Sequence, residues 1–246
     1  MSIPKIIHYC WFGGGPIGEA NRKCIESWQK FCPDYRIMRW DETNFDLDCS
    51  PYVRQAYDAG RYAFVSDYVR LAVLYRYGGI YLDTDVELVK PLDELLELPG
   101  FMGFQTNNEV ATGLGFGARK GNSVVQALLR DYDALDFLKA DGSADLTPCP
   151  ERNTRVLQAL GVRKDGTRQS IAEMEIFPAE YFCPMDLYSR KLRVTPKTYS
   201  IHRYAESWKP KPSAVSRILQ RLLKKHYYTW YCPLRGRIEG RLRKRT

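Results

Sequence analysis

Hydrophobic and polar positions near the start of the chain alternate between the period of a strand and the period of a helix. An apolar, β-branched and aromatic run over residues 3–12 predicts a buried strand, and the glycine-rich residues 13–16 predict a loop after it. Helical spacing over residues 21–31 predicts a helix, and alternation over residues 35–40 predicts a second strand. The chain is therefore expected to open as a β-α-β unit.

A second helix and strand follow, and this strand ends in two acids. Apolar positions recur at helical intervals over residues 63–77, and Gly78-Gly79 supplies a left-handed stop. Residues 80–82 then predict a short buried strand that runs directly into Asp83-Thr84-Asp85. Ligands of α/β sheets gather beyond the carboxyl ends of the strands, so the two acids lie where a binding site is expected.

The remaining pattern continues the alternation of strands and helices. A short acidic helix is predicted after Pro91, and residues 101–104 and 112–117 predict strands. Asn122 is expected to cap a helix that continues to Leu138, and another short helix is predicted over residues 151–160. This alternation favours an α/β fold.

Composition agrees with a globular α/β protein. Of 246 residues, 44% are hydrophobic and 27% are charged. Apolar runs are shorter than the roughly 18 residues that span a bilayer, and the first one is too short for a secretory signal. We therefore expect the protein to be made and kept in the cytoplasm.

The seven cysteines contain no CxxC pair, and we expect them to be reduced.

Asp83 and Asp85 are the strongest candidates for metal ligands. Two residues apart on an extended backbone, their carboxylates leave the same face, with Cα atoms about 7 Å apart. Hard oxygen ligands this close suit Mg²⁺ or Mn²⁺, which also bind substrate phosphate oxygens. A solvated turn is the alternative interpretation, but it explains poorly why two acids directly follow a buried strand.

Asp67 and Arg70 share one face of the preceding helix. Their spacing of three allows a local ion pair, and it equally allows both side chains to point into the pocket of Asp83. In the second case Arg70 suits a phosphate and Asp67 suits a sugar hydroxyl.

Two further residue types widen the candidate site. Trp11 ends the first strand beside flexible glycines, where an indole can stack on a planar ligand or belong to the core. His202 is one of three histidines and offers a neutral ring nitrogen to a metal, or else serves the structure. Trp208 is open to the same two interpretations.

Four segments in chain order resemble glycosyltransferase family 32. They are IPKIIHYCWFGG, AFVSDYVR, GGIYLDTD and HRYAESW, which together reach from residue 3 to residue 208. That family holds yeast mannosyltransferases and many bacterial capsule enzymes, and it is distantly similar to clostridial glucosylating toxins. The resemblance implies a GT-A fold, in which a Rossmann-like mixed sheet flanked by helices binds a nucleotide sugar.

The resemblance also implies roles for the donor-binding residues. Trp11 would stack on the nucleobase, while Asp67 and Arg70 would bind sugar hydroxyls and phosphates. Asp83 would contact the ribose and the sugar. Trp208 would hydrogen-bond near the glycosidic oxygen. The catalytic set implied in this way is Asp67, Arg70, Asp83 and Trp208.

A divalent cation, Mn²⁺ or Mg²⁺, is implied as the cofactor. Asp85 would ligate it directly, with Asp83 beside it. His202 would be a further ligand, and Glu206 or Ser207 is the alternative at that position. Such a cation neutralises charge that develops on a leaving diphosphate.

The implied reaction is a retaining transfer of a hexose to a glycan or lipid-linked oligosaccharide acceptor, in capsule or surface-polysaccharide synthesis. A UDP-sugar is the favoured donor and a GDP-sugar is possible. A magnesium-dependent phosphatase of the haloacid dehalogenase class also places Asp-x-Asp after an apolar strand, and it is the alternative enzyme. Val86-Glu87 departs from the usual continuation of that motif.

The net charge of +8 is concentrated in the last 30 residues. Residues 217–246 hold ten Lys or Arg and one acid, so they carry +9 and leave the first 216 residues at about −1. We predict a catalytic domain over residues 1–212 and a basic amphipathic tail over residues 213–246, which attaches the enzyme to the inner face of an anionic membrane. A nucleic-acid-binding module is the alternative, although the tail contains no recognised motif of that kind.

Overall fold

The computed structural model of the chain describes residues 2–186 and 189–204. The described helices are α1 (Glu19–Phe31), α2 (Pro51–Asp58), α3 (Tyr62–Tyr77), α4 (Ser123–Asp133), α5 (Cys149–Ala159) and α6 (Ala179–Phe182). The described strands are β1 (Ile6–Cys10), β2 (Arg36–Trp40), β3 (Gly79–Tyr81), β4 (Val86–Leu88), β5 (Gly100–Gly103), β6 (Phe116–Ala118), β7 (Gln169–Ile171), β8 (Met174–Phe177) and β9 (Ser200–His202).

Seven of these strands form one mixed sheet in the order β2-β1-β3-β6-β5-β8-β7. Strand β1 pairs in parallel with both β2 and β3, whereas β6 is antiparallel to its two neighbours. Strands β4 and β9 form a separate antiparallel pair. Because β1, β2 and β3 run in the same direction, their carboxyl ends meet at one edge, and residue 83 follows β3 at that edge.

Helices cover the two faces of the sheet. Tyr81 and Met102 pack into a cluster with residues of α2, α3, α4 and α5. Ile80 and Phe101, their neighbours along the strands, belong to a second cluster that includes Trp28 of α1. Alternate residues of a strand point to opposite faces, so the sheet is buried between two apolar layers. The predicted α/β architecture, a mixed sheet flanked by helices, is confirmed.

Long elements agree closely with the sequence pattern. The predicted helices over residues 21–31 and 63–77 are α1 and α3, and α3 ends at Gly78-Gly79 with positive φ angles of 67° and 110°. Asn122 caps α4 as predicted, because its side chain accepts hydrogen bonds from the backbone N–H groups of Val124 and Val125.

Two predicted boundaries are wrong. Helix α4 ends at Asp133 instead of Leu138, because the chain turns to bury Phe137 against Tyr52, with ring centroids 5.7 Å apart. The predicted strand over residues 112–117 begins only at Phe116, and the residues before it form a loop in which Gly115 has φ of 124°. That loop lies at the candidate site.

Six cysteines fall within the described part of the chain, and all six are free there. No helix in residues 2–186 and 189–204 is long and apolar enough to cross a membrane.

His8 joins β1 to the glycine turn that precedes β3. Trp40 Nε1, which can only donate, lies 3.0 Å from His8 Nδ1, so Nδ1 is the acceptor. Nε2 therefore carries the proton and donates to the Gly78 carbonyl at 2.9 Å. Burial lowers the pKa of His8 to about 4 from its usual 6.5, although the Gly78 carbonyl acts in the opposite direction. The neutral imidazole thus supports the turn that leads into β3.

This geometry predicts a pH-dependent loss of stability. The unfolded chain takes up a proton at His8 near pH 6.5 and the folded chain only near pH 4, so this contribution to stability is complete above pH 7 and is lost as the pH falls between those values. Between pH 7 and 5 we expect the free energy of unfolding to fall by about 1–2 kcal/mol more in the wild type than in His8→Gln. Urea denaturation at both pH values measures the difference, and equal losses would contradict the assignment.

Candidate functional site

Asp83 and Asp85 lie on a tight turn between β3 and β4. The Val86 N–H donates to the Asp83 carbonyl at 2.9 Å, which places Thr84 and Asp85 at the two central turn positions. The sequence predicted an extended backbone here, and that geometry is wrong, because β4 leaves the main sheet to pair with β9. The two carboxylates nevertheless approach one another, and ligand oxygens of both belong to a group of atoms within 4.8 Å.

Distant backbone groups hold both acidic residues of the turn. The Asp83 N–H donates to the Gly113 carbonyl at 3.2 Å, and the Asp85 carbonyl accepts from the Arg203 N–H at 2.9 Å. The first bond joins the turn to the loop before β6, and the second joins it to the residue after β9. The backbone of Asp83 is therefore fixed by a residue 30 positions further along the chain, and that of Asp85 by a residue 118 positions further along.

Helix α1 holds the other two residues of the turn through side chains. The Asn21 amide donates to Thr84 Oγ1 at 2.7 Å, and Trp28 Nε1 donates to the Val86 carbonyl at 2.7 Å. Both α1 side chains are buried, with Asn21 7% and Trp28 0% exposed. Each of the four turn residues is thus tied to another segment of the chain.

His202 reaches the turn through the β4–β9 pair. It lies opposite Val86 in the register, and its Nε2 is 3.2 Å from Asp85 Oδ1. Burial lowers the pKa of His202, but the carboxylates of Asp85 and Asp83 together raise it more, and the net shift is upward. The other ring nitrogen, Nδ1, is buried and has no hydrogen-bond partner among residues 2–186 and 189–204.

Tyr204 borders the histidine on its other side. The two rings meet edge to face with centroids 4.2 Å apart, and the Tyr204 hydroxyl lies 2.9 Å from Cys183 Sγ. Tyr204 has φ of 51°, which is unusual for a bulky residue. The ring of Tyr204 thus packs against His202 from a strained backbone conformation.

The residues present fit a divalent cation. Ligand atoms of Asp83, Asp85 and His202 all lie within 4.8 Å of one another, and their side chains keep 28%, 15% and 15% exposure. Two carboxylates with one imidazole form a donor set that suits Mn²⁺. Their partial exposure leaves the group accessible to an ion and to a phosphate-bearing ligand.

Arg70 lies between Asp67 and Asp83. Its Nη2 is 3.1 Å from Asp67 Oδ1 and 3.0 Å from Asp83 Oδ1, and only 5% of the residue is exposed. The Tyr81 hydroxyl donates to the same Asp83 oxygen at 3.0 Å. Both interpretations of the Asp67–Arg70 spacing therefore apply. The two residues form a local ion pair, and Arg70 also contacts Asp83 after β3.

Burial sets the electrostatics of this group. It raises the pKa of Asp67 to about 6, and it raises that of Asp83 as well, although Arg70 opposes both shifts. With Asp85, the site holds three carboxylates and the one guanidinium of Arg70. Ionised, these four groups leave two negative charges, of which His202 balances one when it is protonated and a divalent cation balances both.

Gly113 is a site residue that sequence reasoning missed. A Cβ at this position would lie 2.0 Å from Asp83 Oδ2 and 3.3 Å from Arg70 Nη1. Residue 113 therefore has no room for a side chain, because the Asp83 carboxylate lies directly against its backbone. The run of glycines over residues 113–117 was the available signal, but the pattern was interpreted as a strand.

The inner side of Arg70 contacts a polar cluster that the pattern also did not indicate. Arg70 Nη1 lies 3.4 Å from Thr112 Oγ1 and 3.7 Å from Cys149 Sγ. The Asn153 amide donates to both of these atoms at 3.1 Å. This cluster, which includes residues of α5, holds the guanidinium from the side opposite the turn.

Trp11 lies in a loop that is fastened at several points. Its backbone N–H donates to the Trp40 carbonyl at 2.9 Å, and its indole N–H donates to the Gly15 carbonyl at 2.6 Å. Gly13 has φ of 88° and sits against Tyr62, so closely that a Cβ would come 2.3 Å from the ring. The half-buried indole is not among the buried core residues. The interpretation of Trp11 as a purely core residue is therefore wrong.

Several predicted positions lie outside the described residues. They are Glu206, Ser207, Trp208 and the tail over residues 213–246.

A match to a known family covers the turn, helix α1 and helix α3. Residues 18–101 match the model described as the glycosyltransferase sugar-binding region containing the DXD motif. The segment is about a third of the chain and includes Asp67, Arg70 and the Asp83-Thr84-Asp85 turn. The resemblance to these glycosyltransferases that the sequence indicated is confirmed.

Individual relatives agree with this family. Inositol phosphoceramide mannosyltransferase 3 of Schizosaccharomyces pombe is 31% identical over 144 residues, which are 55% of this chain and 39% of that protein. The uncharacterized glycosyltransferase L373 of Acanthamoeba polyphaga mimivirus is 26% identical over 223 residues, 85% of this chain and 84% of that one. The chain spans about two fifths of the length of the yeast mannosyltransferase.

Among solved structures, the PaToxG glycosyltransferase matches 64% of this chain and 69% of its own, with a TM-score of 0.48 and 23% identity. Neither of the two relatives named above is a phosphatase or a nucleic-acid-binding module, so they give no support to those alternatives.

The contact between Gly113 and Asp83 predicts the effect of one methyl group. In Gly113→Ala the new Cβ must displace the Asp83 carboxylate, so we expect Mn²⁺ affinity to fall by about tenfold or more while the fold is kept. Gly18→Ala is the matched control, because nothing lies within 4 Å of its Cβ. Calorimetric titration with Mn²⁺ measures both variants. Unchanged Mn²⁺ affinity in a folded Gly113→Ala protein would contradict the proposed role of Gly113 in positioning the Asp83 carboxylate.

Proposed function

We propose that this protein is a metal-dependent glycosyltransferase that moves a hexose from a nucleotide sugar to a hydroxyl acceptor with retention of anomeric configuration. The observation that carries the proposal is the convergence of Asp83, Asp85 and His202 within 4.8 Å, beside buried Arg70, at the carboxyl end of β3. The match of residues 18–101 to the DXD-containing sugar-binding region supports it.

Transfer breaks the bond between the anomeric carbon and the diphosphate and forms a bond to the acceptor oxygen, whose proton passes to the leaving diphosphate. Asp85 and His202 would hold a Mn²⁺ or Mg²⁺ ion, and Asp83 would hold the ion or the donor ribose. Such an ion would supply positive charge next to the leaving diphosphate, which carries the electron pair of the broken bond. Because the turn is fixed before the donor arrives, these groups need little reorganisation as charge develops.

The donor-sugar side of the site is assigned to Asp67 and Arg70. Arg70 is almost fully buried and already bonded to both carboxylates, so its main role in this proposal is to orient Asp67 and Asp83. Asp67 then offers its remaining lone pairs to sugar hydroxyls. Trp11 stacks on the nucleobase, and Trp208 hydrogen-bonds near the glycosidic oxygen.

The relatives extend the choice of donor and acceptor. The yeast relative is named as a mannosyltransferase that acts on inositol phosphoceramide, which adds a GDP-hexose and a lipid acceptor to the possibilities. A UDP-hexose with a glycan or lipid-linked acceptor in surface-polysaccharide synthesis remains part of the proposal. The basic tail over residues 213–246 would then bring the enzyme to an anionic membrane surface.

A donor screen tests the proposal. Purified protein is incubated with UDP- and GDP-hexoses, with Mn²⁺ or with a chelator, and release of the nucleoside diphosphate is measured. We expect slow hydrolysis of one donor in Mn²⁺ alone, and we expect Asp85→Asn to lower it by about 100-fold or more without loss of fold. Asp58→Asn at the end of α2 is the control and should keep full activity.

Two outcomes would contradict the proposal. One is hydrolysis of a simple phosphate monoester with no turnover of any sugar nucleotide, which favours the phosphatase. The other is full activity in a folded Asp85→Asn protein, which removes the metal ligand from the mechanism.

A further inference from the structure

We propose that Asn21 and Thr84 are a positioning pair that presets the carboxylates of Asp83 and Asp85 for the metal. This inference rests on the proposed function. Neither residue need touch the ion or the donor, and each acts through the turn between the two acids.

The position of Asn21 on α1 calls for an explanation. The buried residues of α1 are Asn21, Cys24 and Trp28, which are spaced three and four apart and so form the inward stripe of an amphipathic helix. A position on such a stripe is ordinarily apolar, and burying an amide is unfavourable unless it is hydrogen-bonded. The Asn21 amide is 7% exposed and donates to Thr84 Oγ1 at 2.7 Å. Its single described side-chain partner is therefore the residue between the two acids.

Thr84 is the residue through which this bond controls the site. It occupies the first central position of the turn closed by the Val86 N–H and the Asp83 carbonyl. The peptide planes on its two sides lead directly to Asp83 and to Asp85. Fixing its β-branched side chain restricts rotation of both planes, and hence the directions in which the carboxylates leave the backbone.

Charge repulsion makes such a restraint useful. The carboxylates of Asp83 and Asp85 lie in one group of ligand atoms within 4.8 Å, so without a cation they repel each other and favour an open turn. A neutral amide bonded to Thr84 opposes opening without competing as a metal ligand. Outer-shell hydrogen bonds of this kind characteristically orient metal ligands.

Helix α1 supplies its own matched control. Ser27 Oγ accepts the Leu88 N–H at 2.9 Å, so Ser27 also binds the strand that follows the turn, four residues beyond Thr84. Ser27→Ala removes one hydrogen bond between α1 and β4, as Asn21→Leu removes one between α1 and the turn. Only the second change acts on the residue between the acids.

The experiment measures Mn²⁺ affinity by electron paramagnetic resonance of free Mn²⁺, with the melting temperature of each variant as a record of folding. The full chain is compared with Asn21→Leu, with Thr84→Val and with the double variant. We expect each single change to weaken Mn²⁺ binding by about tenfold, and the double change to add little, because both remove one interaction. Ser27→Ala should lower the melting temperature and leave Mn²⁺ affinity within about twofold.

The outcomes separate this inference from the function on which it rests. If the wild type fails to bind Mn²⁺, both proposals are overturned. If it binds and Asn21→Leu or Thr84→Val binds equally well, only the positioning pair is overturned. The same holds if Ser27→Ala weakens binding as much as Asn21→Leu, since general loosening of α1 then explains the effect. If Asn21→Leu does not fold, Thr84→Val decides alone.

Discussion

The buried guanidinium of Arg70 bridges Asp67 and Asp83, and the arrangement of the site depends on this bridge. Three carboxylates meet at the edge of the sheet, and Nη2 of Arg70 binds two of them at 3.1 and 3.0 Å. Without this cation, two buried carboxylates would face each other in a medium that penalises charge. The bridge requires helix α3 to present Asp67 and Arg70 on one face, strand β3 to end beside them, and residue 113 to lack a side chain.

The same bridge leaves the turn with charge to be balanced. Arg70 compensates one of the three negative charges, and His202, whose pKa is lowered by burial but raised overall by Asp85 and Asp83, lies 3.2 Å from Asp85. On the proposed function, a divalent cation would balance the charge that remains and would neutralise the leaving diphosphate.

The sequence predicts the features that are set by neighbouring residues, and it does not predict those that are set by contacts between segments far apart in the chain. Helices α1 and α3 are visible in their apolar periodicity, and Asp83-Thr84-Asp85 is visible as acids after a buried run. Strands β4 and β9 have three residues each, too few for a period, so the turn between β3 and β4 was missed. Gly113 and Asn21 acquire their roles only when segments far apart in the chain meet, and no local pattern distinguishes them from a loop glycine and a helix asparagine.

Crystals grown with Mn²⁺ and a nucleoside diphosphate, measured at the manganese absorption edge, test the central claim most directly. The account predicts one strong anomalous peak within coordination distance of an Asp85 carboxylate oxygen and His202 Nε2, with phosphate oxygens completing its coordination. A nucleotide bound without such a peak, or a peak at other ligands, would contradict the claim that the turn between β3 and β4 is a metal site.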